Sequence, residues 1–222
     1  MIDFAAARRM MVDGQVRTSD VTDLRIIAAM LELPRERFVP EASVDLAYLD
    51  LDVPVSRAAG ATPARRLLKP MVLAKMIQAA GVKADDHVLD VGCATGYSSA
   101  LVGRLARSVI ALEQDPALAR FAGDSLKAVG ASDVTVATGP LTAGWPPRGP
   151  YDVVFVNGAT EIIPDTLYQL KDGGRLVAVV GHAPTTRAMV YRSVGGDVSG
   201  WPIFDASAPL LPGFAAPPAF VF

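Results

Sequence analysis

Five short runs of mainly β-branched and apolar residues, HVLDV, SVIAL, VTVAT, DVVFVN and RLVAVVG, follow one another between His87 and Gly181. Short runs of this kind are what buried parallel strands tend to be. Between the first three lie Tyr97–Ala106 and Pro116–Val129, each long enough for a crossover helix. Parallel strands need such crossovers, so the alternation predicts a doubly wound α/β sheet. After Gly181 the rhythm loosens, and MVYRSV and the terminal PAFVF read as later, antiparallel strands around a proline-rich passage.

The residues before Lys83 read differently. Asp3–Asp13 and Val21–Leu33 are expected helices, the second with Val21, Leu24, Ile27, Ala28 and Leu31 on one face. Ser19 or Asp20 is its expected cap and Pro34 marks its end. A loop, SRAAGATPARR, follows, and Pro70 opens a helix running to about Ala80. The expected organisation is a helical extension over residues 1–80 and an α/β core over 81–222, packed as one unit.

A chain of 222 residues can bury a sizeable core. Its formal net charge of −2 offers no general argument for binding nucleic acid or an anionic membrane. One cysteine excludes an intrachain disulfide, and with two histidines it leaves no basis for a structural zinc site. The first residues carry Asp3, Arg8, Arg9 and Asp13 without the long apolar core of a signal peptide. No apolar run approaches the roughly 20 residues that span a bilayer. The expectation is a soluble, cytoplasmic protein, monomer or homodimer. The segment PLLPGFAAPPAFVF reads as a strand and surface wrap suited to a dimer contact.

The stretch VLDVGCATGYSSA, Val88–Ala100, is a strand, a glycine-cornered turn and the start of a helix. Gly92 and Gly96 allow a backbone to approach a ligand closely, and Cys93 and Ala94 complete the turn. Glu113, about twenty residues on, stands where a carboxylate can grip two ribose hydroxyls. That pairing fits a nicotinamide cofactor and S-adenosylmethionine alike. Asp90 separates them: its charge would repel a pyrophosphate and tolerate a cationic methionine portion. The dinucleotide loop's middle glycine is also missing, with Ala94 between Gly92 and Gly96. The cradle therefore points to S-adenosylmethionine, with Cys93 as a packing residue.

These residues resemble the protein-L-isoaspartate O-methyltransferases. The resemblance runs through LELPRERFVP (Leu31–Pro40), AYLDLDVPV (Ala47–Val55), KPMVLAKM (Lys69–Met76), the glycine turn, GWPPRGPYDVVFV (Gly144–Val156) and IPDTLYQLKDGGRLVAVVG (Ile163–Gly181). It implies a Rossmann-like, seven-stranded methyltransferase core with the N-terminal extension over the cofactor. It also implies methyl transfer to the carboxylate of isoaspartyl residues in damaged proteins, a repair reaction. Asp90, Gly92, Gly96 and Glu113 carry over as cofactor residues.

Three positions depart from the family. Its T-I-S-Q-P segment reads RLLKP here, so Leu68 stands at the serine that lies beside the sulfonium, and no catalytic residue is assigned. Its G-D-G turn reads GPL, with Pro140 at the adenine-contacting Asp, and its T-A-A-A turn reads NGAT, Asn157–Thr160. Arg65, Arg66 and Lys69 form a basic cluster that could attract an anionic substrate in place of the lost hydroxyl. Asn157 is the polar candidate at the end of the fourth core strand. His182 lacks a recognisable partner carboxylate, and His87, Trp145 and Tyr151 read as structural. Three functions stay open: a methyltransferase of the isoaspartyl type or with another acceptor, a silent S-adenosylmethionine-binding protein, and, disfavoured by Asp90, a nicotinamide oxidoreductase.

Overall fold

The computed structural model describes residues 2–58 and 64–217; the terminal PAFVF and the middle of the SRAAGATPARR loop lie outside them. Helix α1 (Phe4–Met11) begins at Asp3, whose Oδ1 accepts from Ala6 N at 3.0 Å. It passes through a π-helical turn, Val12–Val16. Helix α2 (Leu24–Glu32) is capped by Asp23, which accepts from Arg25 N at 2.9 Å. The cap is therefore neither Ser19 nor Asp20. Those two residues close the preceding turn, where Asp20 is left-handed at φ 62°. A two-stranded hairpin follows, β1 (Val53–Pro54) against β2 (Arg66–Leu67). Helix α3 (Pro70–Ala80) opens on Pro70 and ends at left-handed Gly81, as expected of a proline start and a glycine stop.

The core continues as β3 (His87–Val91), α4 (Tyr97–Gly103), β4 (Ser108–Glu113), α5 (Pro116–Ala128), β5 (Val134–Thr138), β6 (Tyr151–Thr160), β7 (Leu170–His182), β8 (Thr185–Val194) and β9 (Asp197–Asp205). Seven strands form one sheet in the order β5-β4-β3-β6-β7-β8-β9. Pairing is parallel from β5 through β7 and antiparallel for β8 and β9. The seventh strand comes from the proline-rich passage itself. The chain leaves β3 for β4 on one side and later returns to β6 on the other, so the topological switch point lies between β3 and β6.

Side chains alternate cleanly across the sheet. Val88, Val109, Val153, Phe155 and Val177 face α1–α5 in one large apolar cluster. Leu89, Val91, Leu112, Val154 and Leu176 face the other way. That second face is covered by 3₁₀ turns at Leu141–Ala143 and Asp165–Leu167 and by the chain after β9, through Leu211 and Phe214. Leu211 and Phe214, beyond the last strand, thus belong to the core.

Arg175 of β7 ties the sheet to the end of α3. Its Nε donates to Ala80 O at 2.5 Å, and its Nη2 lies 2.6 Å from Gly81 O and 2.7 Å from Asp86 Oδ2. It satisfies helix-end carbonyls that have no partner within the helix. Replacing it would also leave the buried Asp86 carboxylate short of its cation. Arg175→Ala should cost about 3 kcal/mol in urea unfolding with an unchanged m-value. A loss below about 1 kcal/mol would reduce the contact to an ordinary surface pair.

Candidate functional site

The glycine turn stands at the carboxyl ends of β3 and β4. Gly92 (φ 79°), Ala94 (φ 52°) and Gly96 (φ 92°) are all left-handed. Glycine adopts this freely, whereas Ala94 is strained by about 1–2 kcal/mol. A Cβ at Gly96 would lie 3.3 Å from Ala122 and Leu126, so the missing side chain also lets α5 approach. Fully buried Glu113 points into the turn. Its Oε2 accepts from Ala94 N at 2.9 Å, which holds the strained residue in place. Its Oε1 accepts from Gln114 N (2.9 Å), Asp115 N (3.1 Å) and Arg65 Nη1 (2.8 Å).

Asp90 lies on the helix side of β3, fully buried. Its Oδ2 accepts from Ser98 Oγ and Ser99 Oγ of α4, each at 2.6 Å, while Oδ1 has no partner. Asn157 of β6 donates through Nδ2 to Ser98 Oγ at 2.6 Å, and its Oδ1 is likewise unpaired. Burial pushes the Asp90 carboxyl up to about 6, with the Glu113 charge adding and the two serines opposing. Burial, reinforced by the charges of Asp90 and Glu113, also raises the Cys93 thiol, which sits in the turn as a protonated packing group.

The expected basic cluster is not assembled. Arg65 turns inward, 5% exposed, with Nη2 donating to Gly92 O at 2.9 Å as well as Nη1 to Glu113. Arg66 is exposed and donates to Asp52 O at 3.0 Å. Lys69 gives its backbone N–H to Asp52 Oδ1 at 2.9 Å. Leu68 is buried, and its carbonyl accepts from Arg35 Nη2 at 2.8 Å. Buried Asn157 is committed to Ser98 rather than presented at an open edge. His182 does have a carboxylate beside it, Glu161 Oε1 at 3.1 Å from Nδ1. His87 bonds with Ser108 Oγ and stacks on Tyr151, and Trp145 closes over Gly139 beside Pro140.

S-adenosylmethionine on this turn needs two things, a carboxylate free for its ribose and an open face over Gly92. Glu113 Oε1 is taken by three donors while Oε2 holds Ala94 N alone, and the face over Gly92 is covered. A Cβ built on Gly92 would meet both Arg65 Nη2 and Leu211 Cδ2 at 3.1 Å. One built on Gly158 would meet Leu211 Cγ at 2.7 Å. The residue types of a cradle are retained, and in this arrangement the side chains of Arg65 and Leu211 occupy the space over it. Arg65 and Leu211 are the residues that sequence reasoning missed. Arg65 reads as one more basic residue in a row of three, and Leu211 acts across more than a hundred residues of chain.

The family model for protein-L-isoaspartate(D-aspartate) O-methyltransferase matches residues 7–199. The chain is 36% identical to protein-L-isoaspartate O-methyltransferase 1 of Rhodopseudomonas palustris strain HaA2, over 84% of this chain and 74% of that one. It is also 36% identical to the enzyme of that name from Methanoculleus marisnigri, over 78% and 77%. A solved protein-L-isoaspartate O-methyltransferase superposes with a TM-score of 0.80 at 23% identity, covering 93% of this chain and 66% of that longer one. A Plasmodium falciparum chain with the same assignment, solved in complex with S-adenosyl-L-homocysteine, gives 0.74 at 16% identity, covering 95% and 99%. The two structures establish the likeness of fold.

The raised Asp90 carboxyl has a measurable consequence. Between about pH 4 and 6 the folded chain keeps a proton that the unfolded chain has released, so stability falls as pH rises through about 6. In urea unfolding at pH 4 and 7.5, Asp90→Asn should gain on the wild type by up to about 3 kcal/mol at the higher pH. A gap independent of pH would mean that Asp90 titrates as an ordinary carboxylate.

Proposed function

This chain belongs to the protein-L-isoaspartate(D-aspartate) O-methyltransferase family, and from that premise we propose that it transfers a methyl group from S-adenosylmethionine to the carboxylate of L-isoaspartyl residues in damaged proteins. The observation that carries this reading is the meeting of the Gly92–Gly96 turn with the Glu113 carboxylate beside the switch point of the sheet. The cofactor supplies a methyl group on a cationic sulfonium. The acceptor of such a transfer is already ionised, so no side chain of this protein has to act as a general base. What remains for the protein is positioning, which can carry most of the acceleration.

Residues 1–80 form, in this reading, the extension over the cradle, and residues 81–222 its base. Asp90, Gly92, Cys93, Ala94, Gly96 and Glu113 are assigned to the cofactor side. Buried Leu68 offers no hydroxyl. The acceptor carboxylate is assigned to Arg66, the exposed cation two residues before it. Lys69 is a second cation close by.

A second reading, a silent member that keeps the fold alone or binds without turnover, is favoured by the Arg65 guanidinium held on Glu113. Methyl transfer from labelled S-adenosylmethionine to an isoaspartyl peptide, with the aspartyl peptide as control, separates the two. The expected outcome is labelling of the isoaspartyl peptide alone, with Arg66→Ala raising KM several-fold at constant kcat. Binding without labelling would support the silent reading or another acceptor. An unchanged KM would remove Arg66 from the substrate site.

A further inference from the structure

We propose that Arg65 and Leu211 form an internal plug of the cofactor cradle, so that a ligand enters only by taking Arg65's place on Glu113. The inference rests on the methyltransferase reading above. It begins with what Arg65 replaces. The guanidinium donates to a carboxylate at one end and to the Gly92 carbonyl at the other, 2.8 and 2.9 Å away. A ligand bearing a ribose diol and an ammonium offers donors of the same two kinds. Arg65 thus satisfies from within the acceptors that such a ligand would satisfy from outside.

Leu211 closes the other side. It lies against both Gly92, just past β3, and Gly158 of β6, the two neighbouring strands that flank the switch point. Ligands of open α/β sheets bind in the crevice at that place. Here the crevice is filled by an apolar side chain 4% exposed. The strap carrying it is fastened on both sides. Pro209 O accepts from Ala159 N at 2.8 Å, and Leu211 N donates to Ala159 O at 3.0 Å. Beyond it, Phe214 O accepts from Glu161 N at 2.9 Å and Ala216 N donates to Glu161 Oε2 at 2.6 Å. The backbone of the strap is fixed, and the side chain of Leu211 is the part that can turn aside.

A separate observation points to a ligand. Asp90 Oδ1 and Asn157 Oδ1 are buried acceptors with no donor, Asp90 two residues before Gly92 and Asn157 one residue before Gly158. Most buried polar groups in folded proteins have a partner, and two orphans on the helix side of β3 and β6, each within two residues of a glycine that Leu211 covers, mark a place where donors belong. Nor does the fold need Arg65 on Glu113. With Arg65 withdrawn, Glu113 keeps the N–H groups of Ala94, Gln114 and Asp115. It would keep its place in the turn and be ready to accept from a diol.

The test is calorimetric titration of the full chain with S-adenosyl-L-homocysteine, alongside Arg65→Met, Leu211→Ala and the double variant, each shown to be folded by circular dichroism. Methionine keeps much of the arginine's bulk but frees Glu113, so a gain there reports the ion pair rather than space. The expected result is weak binding by the wild type and at least tenfold tighter binding by each single variant, with a further gain in the double variant. Equal affinity across all four chains would overturn the plug while leaving the methyltransferase reading intact. Absence of binding in all four folded chains would overturn that reading and the plug with it.

Discussion

The structure turns on one buried carboxylate. Glu113 accepts from four donors in three segments of the chain: Arg65, Ala94, and the adjacent Gln114 and Asp115. Through them it fixes the entry to α5, holds the left-handed Ala94 and draws the N-terminal segment down onto the sheet. Burying an ion pair gains little over an apolar pair of the same shape, because both ions lose their water. Losing one partner of such a pair is costly, typically about 3–5 kcal/mol. Three backbone N–H groups on the same carboxylate soften that cost here. Glu113 is over-provided with donors, which lets one of them be exchanged.

The parts of the fold visible in the sequence are those governed by local rules. The core strands β3 and β4 are largely apolar runs, and α3 carries its own stop and start in Gly81 and Pro70. The glycine turn is legible because only certain residues adopt its backbone. Strand β9 was not legible. It reads DVSGWPIFD, largely exposed at the edge of the sheet, with a glycine and a proline inside it. An edge strand with solvent on one side needs no apolar run, and proline is tolerated there.

The site failed to show itself for a different reason. Arg65, Arg66 and Lys69 look alike as charges, but Arg65 and Arg66 enter and begin a strand whose side chains alternate in direction. That alternation sends Arg65 inside and Arg66 out, and returns Leu67 to the core. Residue type cannot reveal this without the register of the hairpin. Leu211 is harder still, since its role depends on the strap crossing the end of β6 some fifty residues after Gly158. Asn157 reads as an edge residue because it stands near the end of a strand run. The observed strand continues to Thr160 and buries it.

The covering of the second face decides how a plug of this kind can open. No α-helix among the described residues lies over Leu89, Val91, Leu112 and Val156; the strap residues Leu211 and Phe214 cover them together with 3₁₀ turns. Lifting the whole strap would expose Phe214 and the apolar face beneath it, besides breaking its four hydrogen bonds to β6 and Glu161. Exposing one such aromatic alone costs about 1.5–3 kcal/mol. Rotating Leu211 and withdrawing Arg65 expose far less and break two guanidinium contacts, both of which an incoming ligand can replace. The economical opening is therefore by side chains, with the sheet, the turn and the strap backbone staying where they are.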